Sequence, residues 1–241
     1  AGLPVLDGDG MGRAFPEVQM TTFFIYGQAC SPAAVADDKG NVVTFDPVDT
    51  MYRLEALARA GTVQMGGSAG MCTAPMGMDF IRRAALPGTV TQALRIGRAI
   101  VDARATRADV LERLLVVADA TLLFTGRVTA VVREMKGGFS VGMVMIAGNG
   151  AYAGCTARIA IQNENLVLWV DDAVTACVPD LIMMVEHETG EPITTELVKY
   201  GLSVAVIGLP AHDLLRTAQA LEVVGPQAFG YAEIDYDTHR L

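Results

Sequence analysis

The stretch 121-TLLFTGRVTAVVREMKGGFSVGMVMI-146 decides the architecture. Two runs rich in apolar and β-branched residues, Thr121–Glu134 and Phe139–Ile146, flank Met135-Lys136-Gly137-Gly138. Paired glycines supply the positive φ angles that a tight hairpin needs, so the two runs pair with each other. Upstream of Asp119 the apolar spacing is helical; downstream the dominant period is two. Ala157–Gln162 and Leu166–Val170 read as a second hairpin turning at Asn163-Glu164-Asn165. Leu181–Glu186 and Leu202–Ile207 read as two further strands. A helix near Ala211–Leu221 precedes Gly225-Pro226.

Towards the N-terminus the pattern alternates. Leu3–Leu6 reads as a short buried strand and Met20–Tyr26, β-branched and aromatic, as another. Ala33–Phe45 has a turn, Asp-Asp-Lys-Gly-Asn, between two apolar runs and so reads as a hairpin. Asp49–Ala60 reads as a helix capped by Asp49 or Thr50 and closed by Gly61. Thr62–Met65 reads as a strand. Gly88–Ala103 and Arg107–Ala118 are predicted helices, the second capped by Thr106. The expected class is α/β of the α+β kind. An N-terminal α/β lobe, residues 1–118, precedes a mostly antiparallel β-rich lobe, residues 119–241, with a late helix. Nothing in between resembles a low-complexity linker or a repeat of about 20–50 residues, so one two-lobed body is expected.

The chain has 241 residues, 51% hydrophobic and 19% charged, enough apolar material for a sizeable core. Its net charge of −9 repels phosphate backbones, which argues against nucleic acid as a partner. No apolar run approaches the roughly 18 residues that a membrane-spanning helix needs. Cys30, Cys72, Cys155 and Cys177 are widely spaced and form no CxxC, so reduced thiols and a cytoplasmic location are expected. The chain opens Ala-Gly-Leu-Pro-Val-Leu-Asp without a methionine, and further polypeptide ahead of Ala1 is expected.

Functional interest centres on Asp7-Gly8-Asp9-Gly10-Met11-Gly12-Arg13. Its glycines let backbone N–H groups approach a ligand and form an anion-binding concavity. Asp7 and Asp9 lie close enough to perturb each other's protonation, as acid–base work requires, or to hold a metal. Arg13 is suited to pin a carboxylate or stabilise an anion. The spacing fits neither a phosphate loop nor an EF-hand. The alternative is an Asx-turn in which both aspartates cap backbone N–H groups. A second glycine-rich loop, Gly66-Gly67-Ser68-Ala69-Gly70, is expected to face the first.

The run 2-GLPVLDGDGMGRAFPEVQMTTF-23 resembles the DUF917 proteins, also called the S-methyl thiohydantoin desulfurase family. So do 63-VQMGGSAG-70, 84-AALPGTVTQALRIGRAI-100, 189-TGEPITTELVKYGLSVAVIGLPA-211 and 224-VGPQAFGY-231. The resemblance implies an α/β domain followed by a β-rich domain, and hydrolytic removal of sulfur from a five-membered thiohydantoin ring. It also implies a glycine-rich segment ahead of Gly2, from this chain or a complementing one, and an association with hydantoinase or oxoprolinase subunits. A non-catalytic accessory subunit and a simple small-molecule binder are the competing readings.

Replacing sulfur by oxygen needs a base or metal-bound hydroxide, donors for the tetrahedral anion and a proton for the leaving thiol. The candidate catalytic residues are Asp7, Asp9, Arg13 and Glu17. The candidate substrate-binding residues are Gly10, Gly12, Gln19, Gly67 and Ser68. A divalent metal such as zinc is the candidate cofactor, a small cyclic amide the expected partner, and a homo-oligomer the expected assembly. Gly-Gly-Ser-Ala-Gly is close to a nucleophile elbow but has no placed His–Asp partner. Cys72 as nucleophile or zinc ligand competes with a small buried hydrophobe, the reading that also covers the other three cysteines. His187 lies among Glu186, Glu188 and Glu191, as either a weak metal site or a solvated turn. His212 reads as structural, and His239 lies in the tail. Lys136 and Arg127 decorate the β-rich surface.

Overall fold

The computed structural model describes residue 2, residues 4–237 and residue 241. Leu3, Thr238, His239 and Arg240 lie outside the described residues, as does Ala1. In chain order the first elements are strand β1 (Gly8–Asp9), helix α1 (Thr22–Ile25), β2 (Ala33–Ala36), β3 (Val42–Phe45), α2 (Met51–Gln64), β4 (Gly70–Cys72) and α3 (Met78–Ala84). Then come β5 (Leu86–Pro87), α4 (Thr89–Thr106), α5 (Val110–Ala118), β6 (Thr121–Lys136), β7 (Phe139–Gly148), β8 (Thr156–Gln162) and β9 (Glu164–Val170). The remainder are β10 (Ala173–Cys177), β11 (Leu181–Glu186), β12 (Pro192–Ile193), β13 (Ser203–Leu209) and α6 (Ala218–Val224). The fold is α+β, with a large antiparallel sheet. Among the described residues no helix is long and apolar enough to cross a membrane.

Contacts divide the chain into two compact units, one of Ala1–Ala14 with Leu86–Leu241 and one of Phe15–Ala85. This division differs from the boundary at Asp119 expected from the change of period. Periodicity reports local geometry, whereas α4 and α5 share their core with the strands that follow them.

The larger unit is built on an eight-stranded antiparallel sheet in the order β10-β9-β8-β7-β6-β13-β11-β12. The β6–β7 hairpin pairs from Gly126↔Gly148 to Lys136↔Phe139, with a register shift between Val128 and Ala130. Gly137 and Gly138 take φ of 60° and 86° in its turn. Strand β13 shows why its sequence is apolar throughout. Val204 and Val206 enter one core with Phe124, Val128, Val144, Ile159 and Met184. Ala205 and Ile207 point the other way, into a core shared with Ile100, Leu111 and Leu114 of α4 and α5. A strand covered on both faces loses the usual apolar–polar alternation.

The smaller unit holds the sheet β3-β2-β4 and a core of Phe24, Val35, Phe45, Leu54 and Ala58. The expected hairpin over Ala33–Phe45 is present, pairing Ala33↔Phe45 to Ala36↔Val42. Three expectations in this region fail. Met20–Tyr26 is not a strand: Thr21 caps the short helix α1 by accepting from Phe24 N, and a cap outweighs weak β preference. Gly61 does not close α2, which continues to Gln64 and so absorbs the strand expected over Thr62–Met65. Helix α3 had no apolar period to announce it.

Three further corrections fall in the larger unit. The strand expected near Leu3–Leu6 is absent among the described residues there, and Val5 and Leu6 are exposed. Pairing starts later, at Gly8↔Pro87, where a Cβ on Gly8 would meet Leu86 O at 2.7 Å. Asp109, not Thr106, caps α5 by accepting from Glu112 N. Thr106 instead closes α4, its hydroxyl donating to Asp102 O at 2.8 Å. The late helix starts at Ala218, after a short 3-10 turn over Asp213–Leu215.

Candidate functional site

The acidic glycine loop is built as a structural device. Asp7 accepts from Thr91 N at 3.0 Å and from the Thr91 hydroxyl at 2.6 Å, and its own carbonyl accepts from Gly88 N at 2.9 Å. Thr91 lies in the first turn of α4, whose free N–H groups favour a negative charge. The hydrogen bonds from Thr91 hold the Asp7 carboxyl below the ordinary aspartate range. Asp9 Oδ1 accepts from Met11 N and Gly12 N, both at 2.6 Å, which is the Asx-turn alternative. Both aspartates are exposed. Gly12 has φ of 66°, and a Cβ there would meet Leu86 Cδ2 at 2.7 Å. That glycine serves the turn, and Gly10 is buried beside it.

Arg13 points inward. Its guanidinium donates to Asp180 O at 2.5 Å, Asn165 O at 2.9 Å and Ala14 O at 3.0 Å. Burial lowers its pKa to about 10, against the raising influence of Glu164 and Asp180. Arg13 therefore ties the loop to the start of β9 and to the turn before β11.

The remaining candidates belong to the Phe15–Ala85 unit. Glu17 accepts from Gln19 Nε2, and Gln19 is 4% exposed with Oε1 unpartnered. Gly66 N donates to Val63 O and Gly67 N to Thr62 O, the pattern of a Schellman close to α2. Gly67, with φ of 87°, ends a helix, and Ser68 is exposed between α2 and β4. None of the four cysteines is in a disulfide. Cys72 is exposed, which corrects its reading as a buried hydrophobe, while Cys177 is buried. Glu186 Oε2 accepts from Glu188 N and Thr189 N, so that carboxylate is spent on holding the turn that carries His187. His212 accepts from Leu214 N and caps the 3-10 turn. Among the described residues no three His, Cys, Asp or Glu side chains gather to hold a metal ion. Among the described residues the candidate zinc therefore has no donor set.

A cavity of about 290 Å³ lies elsewhere in the larger unit, at the β11–β12 edge of the sheet under α4 and α5. Small-molecule sites begin near this size, at roughly 300 Å³. Its apolar wall includes Ile96, Ile100, Leu114, Ile193 and Ile207. Its polar side is Asn163-Glu164-Asn165 and Thr194-Thr195-Glu196. Asn163, with φ of 56°, makes the sharp β8–β9 turn that presents Glu164. Burial raises the Glu164 carboxyl above the usual glutamate range; Arg13 opposes this and Glu196 adds to it. Asn165 is 8% exposed; its Nδ2 donates to Ile182 O at 2.9 Å and its buried Oδ1 has no partner.

Two arginines fix the polar side from behind. Arg13 holds Asn165 O, and Arg133 donates to Thr195 O and Glu196 O at 2.7 Å and to Val198 O at 3.0 Å. The Thr195 hydroxyl donates to Asn163 O and joins the two segments. In sequence, Asn-Glu-Asn signals only a turn. The partners that make Glu164 chemically unusual lie far along the chain, Arg13 being 151 positions away, so no local spacing reveals it.

Family comparison covers nearly the whole chain. Residues 1–47 match the model described as S-Me-THD-like, N-terminal domain, and residues 49–239 match S-Me-THD-like, C-terminal domain. The X-ray crystal structure of a protein from Chromobacterium violaceum superposes with a TM-score of 0.71 at 23% identity. The alignment covers 96% of this chain and 65% of that one, and at this identity it supports the fold alone. No curated protein matches.

Proposed function

The chain belongs to the S-Me-THD-like family, and we propose that it performs desulfurase-type hydrolysis of a small cyclic substrate, a thiohydantoin, hydantoin or related cyclic amide, at the Glu164 cavity. The observation that carries this reading is a half-buried carboxyl of raised pKa in the wall of a small apolar cavity. A carboxyl whose pKa is raised by burial in a cleft is a candidate for acid–base chemistry.

The thiohydantoin carbon bonded to sulfur lies between two ring nitrogens. Water bonds to that carbon while its proton passes to a carboxylate, for which exposed Glu196 is the candidate. The C–S bond then breaks, and Glu164, whose pKa burial raises, is the candidate to supply a proton to the departing sulfur. From a thione, sulfur takes its second proton from the hydroxyl of the tetrahedral intermediate as the carbonyl forms and leaves as hydrogen sulfide; from an S-methyl ring it leaves as methanethiol and the hydroxyl proton stays on the ring nitrogen. Oxygen replaces sulfur, and neither oxidant nor reductant is consumed.

The test is thiol release from a panel of thiohydantoins by the full chain, with Glu164→Gln alongside. Release by the native chain and its loss by about a hundredfold or more in the variant are the expected results. No release from any member, with co-purification of a hydantoinase-type subunit, would favour the accessory-subunit reading instead. The capped state of Asp7 and Asp9 favours that second reading, because it removes the loop's carboxylates from chemistry.

A further inference from the structure

The charge distribution of the cavity narrows what it can take, provided it is the site proposed above. No Lys, Arg or His is among the described residues that line it, and its two charged lining residues are Glu164 and Glu196. The Arg13 and Arg133 guanidinium groups are not among the lining residues; they donate to main-chain carbonyls, and Arg13 acts on Glu164 through its charge. The opposite wall is aliphatic, from Ile96 and Ile100 of α4 to Ile193 and Ile207. Asn165 adds an unpaired acceptor, Oδ1, which costs free energy until a donor reaches it.

We infer that the cavity takes an uncharged or cationic ring that offers N–H groups to Glu164 and Glu196 and an aliphatic substituent to the wall of Ile96, Ile100, Ile193 and Ile207. Rings whose substituent carries a carboxylate are rejected. Rejection follows from like charge at Glu196 beside a low-dielectric wall, with no cation among the described lining residues. Recognition of the N–H groups follows from pairing donors with acceptors in a site that excludes water.

Sulfur-free ligands separate this inference from the hydrolysis itself. The experiment is calorimetric titration of the full chain with three hydantoins, bearing isobutyl, carboxymethyl, or isobutyl with both ring nitrogens methylated. The isobutyl ring is expected to bind at least about tenfold more tightly than either other ligand. Removing the Glu196 charge, with Glu196→Gln, is expected to narrow the gap to the carboxymethyl ring. Filling the cavity by Ile96→Trp, or at its exposed rim by Thr194→Trp should the first fail to fold, is expected to abolish binding. Equal or tighter binding of the carboxymethyl ring would overturn the inference, as would indifference to N-methylation or to cavity filling. Selective binding without thiol release leaves this inference standing and removes the desulfurase reading. Thiol release with unselective binding does the reverse.

Discussion

At the residue scale, the same side-chain types carry different duties according to what reaches them. Asp7, Asp9 and Arg13 have the composition of a site, and their partners make them a helix cap, an Asx-turn and a clamp. The sequence allowed both readings of the aspartates, because an acidic glycine loop suits ligands and backbone N–H groups equally. Only the position of Thr91, 84 residues on, decides for Asp7. The cap has a pH signature. Asp7's folded pKa is depressed, so its contribution is present above the unfolded pKa and lost as pH falls through the folded one. Asp7→Asn should therefore lower the melting temperature at neutral pH and flatten its decline in acid, which thermal denaturation between neutral and acid pH would check. Glu164 has the opposite shift. As proton donor it is active while protonated, so the rate should fall as pH rises through its raised pKa. Arg13 restrains that shift, so Arg13→Met should move the falling limb of the pH–rate profile upwards. The same variant should cost about 2 kcal/mol of stability, read by denaturant unfolding, by removing the donor from the part-buried carbonyls of Asp180 and Asn165.

At the element scale, the long regular pieces were legible and the short ones were not. The β6–β7 hairpin, the β8–β9 hairpin and helices α2, α4 and α5 follow from period and turn residues, with errors at their ends. Helix α1 has four residues, too few to show a period, and depends on one cap at Thr21. Strand β10 follows Asp171-Asp172, whose positive φ angles turn the chain back beside β9 without a glycine to mark it. Glycines inside elements give sharper tests than those in turns. A Cβ at Gly142 would lie 1.9 Å from Val132 O across the hairpin, so Gly142→Val should cost at least about 3 kcal/mol or prevent folding. Gly97, midway along α4, has nothing within 4 Å of the added carbon. Gly97→Ala should stabilise by about 1 kcal/mol, measured by the same unfolding curve.

At the scale of the whole molecule, β13 packs cores onto both of its faces, and one of them carries α4 and α5. The cavity is the gap left where the sheet's β11–β12 edge meets those helices. Membership of the family was legible from the order of five stretches along the chain. The cavity was not, because its polar side joins a hairpin turn, an edge strand and two distant arginines that only topology brings together. The chain spans 65% of the Chromobacterium violaceum protein, so the assay belongs on the full chain with any segment that completes it. The most direct test of the account compares thiol release from thiohydantoins by the native chain, Glu164→Gln and Asp9→Asn, each confirmed folded. A loss of about a hundredfold or more in Glu164→Gln, with Asp9→Asn within about fivefold of native, is the expected result. Full activity in Glu164→Gln and none in Asp9→Asn would return the chemistry to the acidic loop and contradict the account.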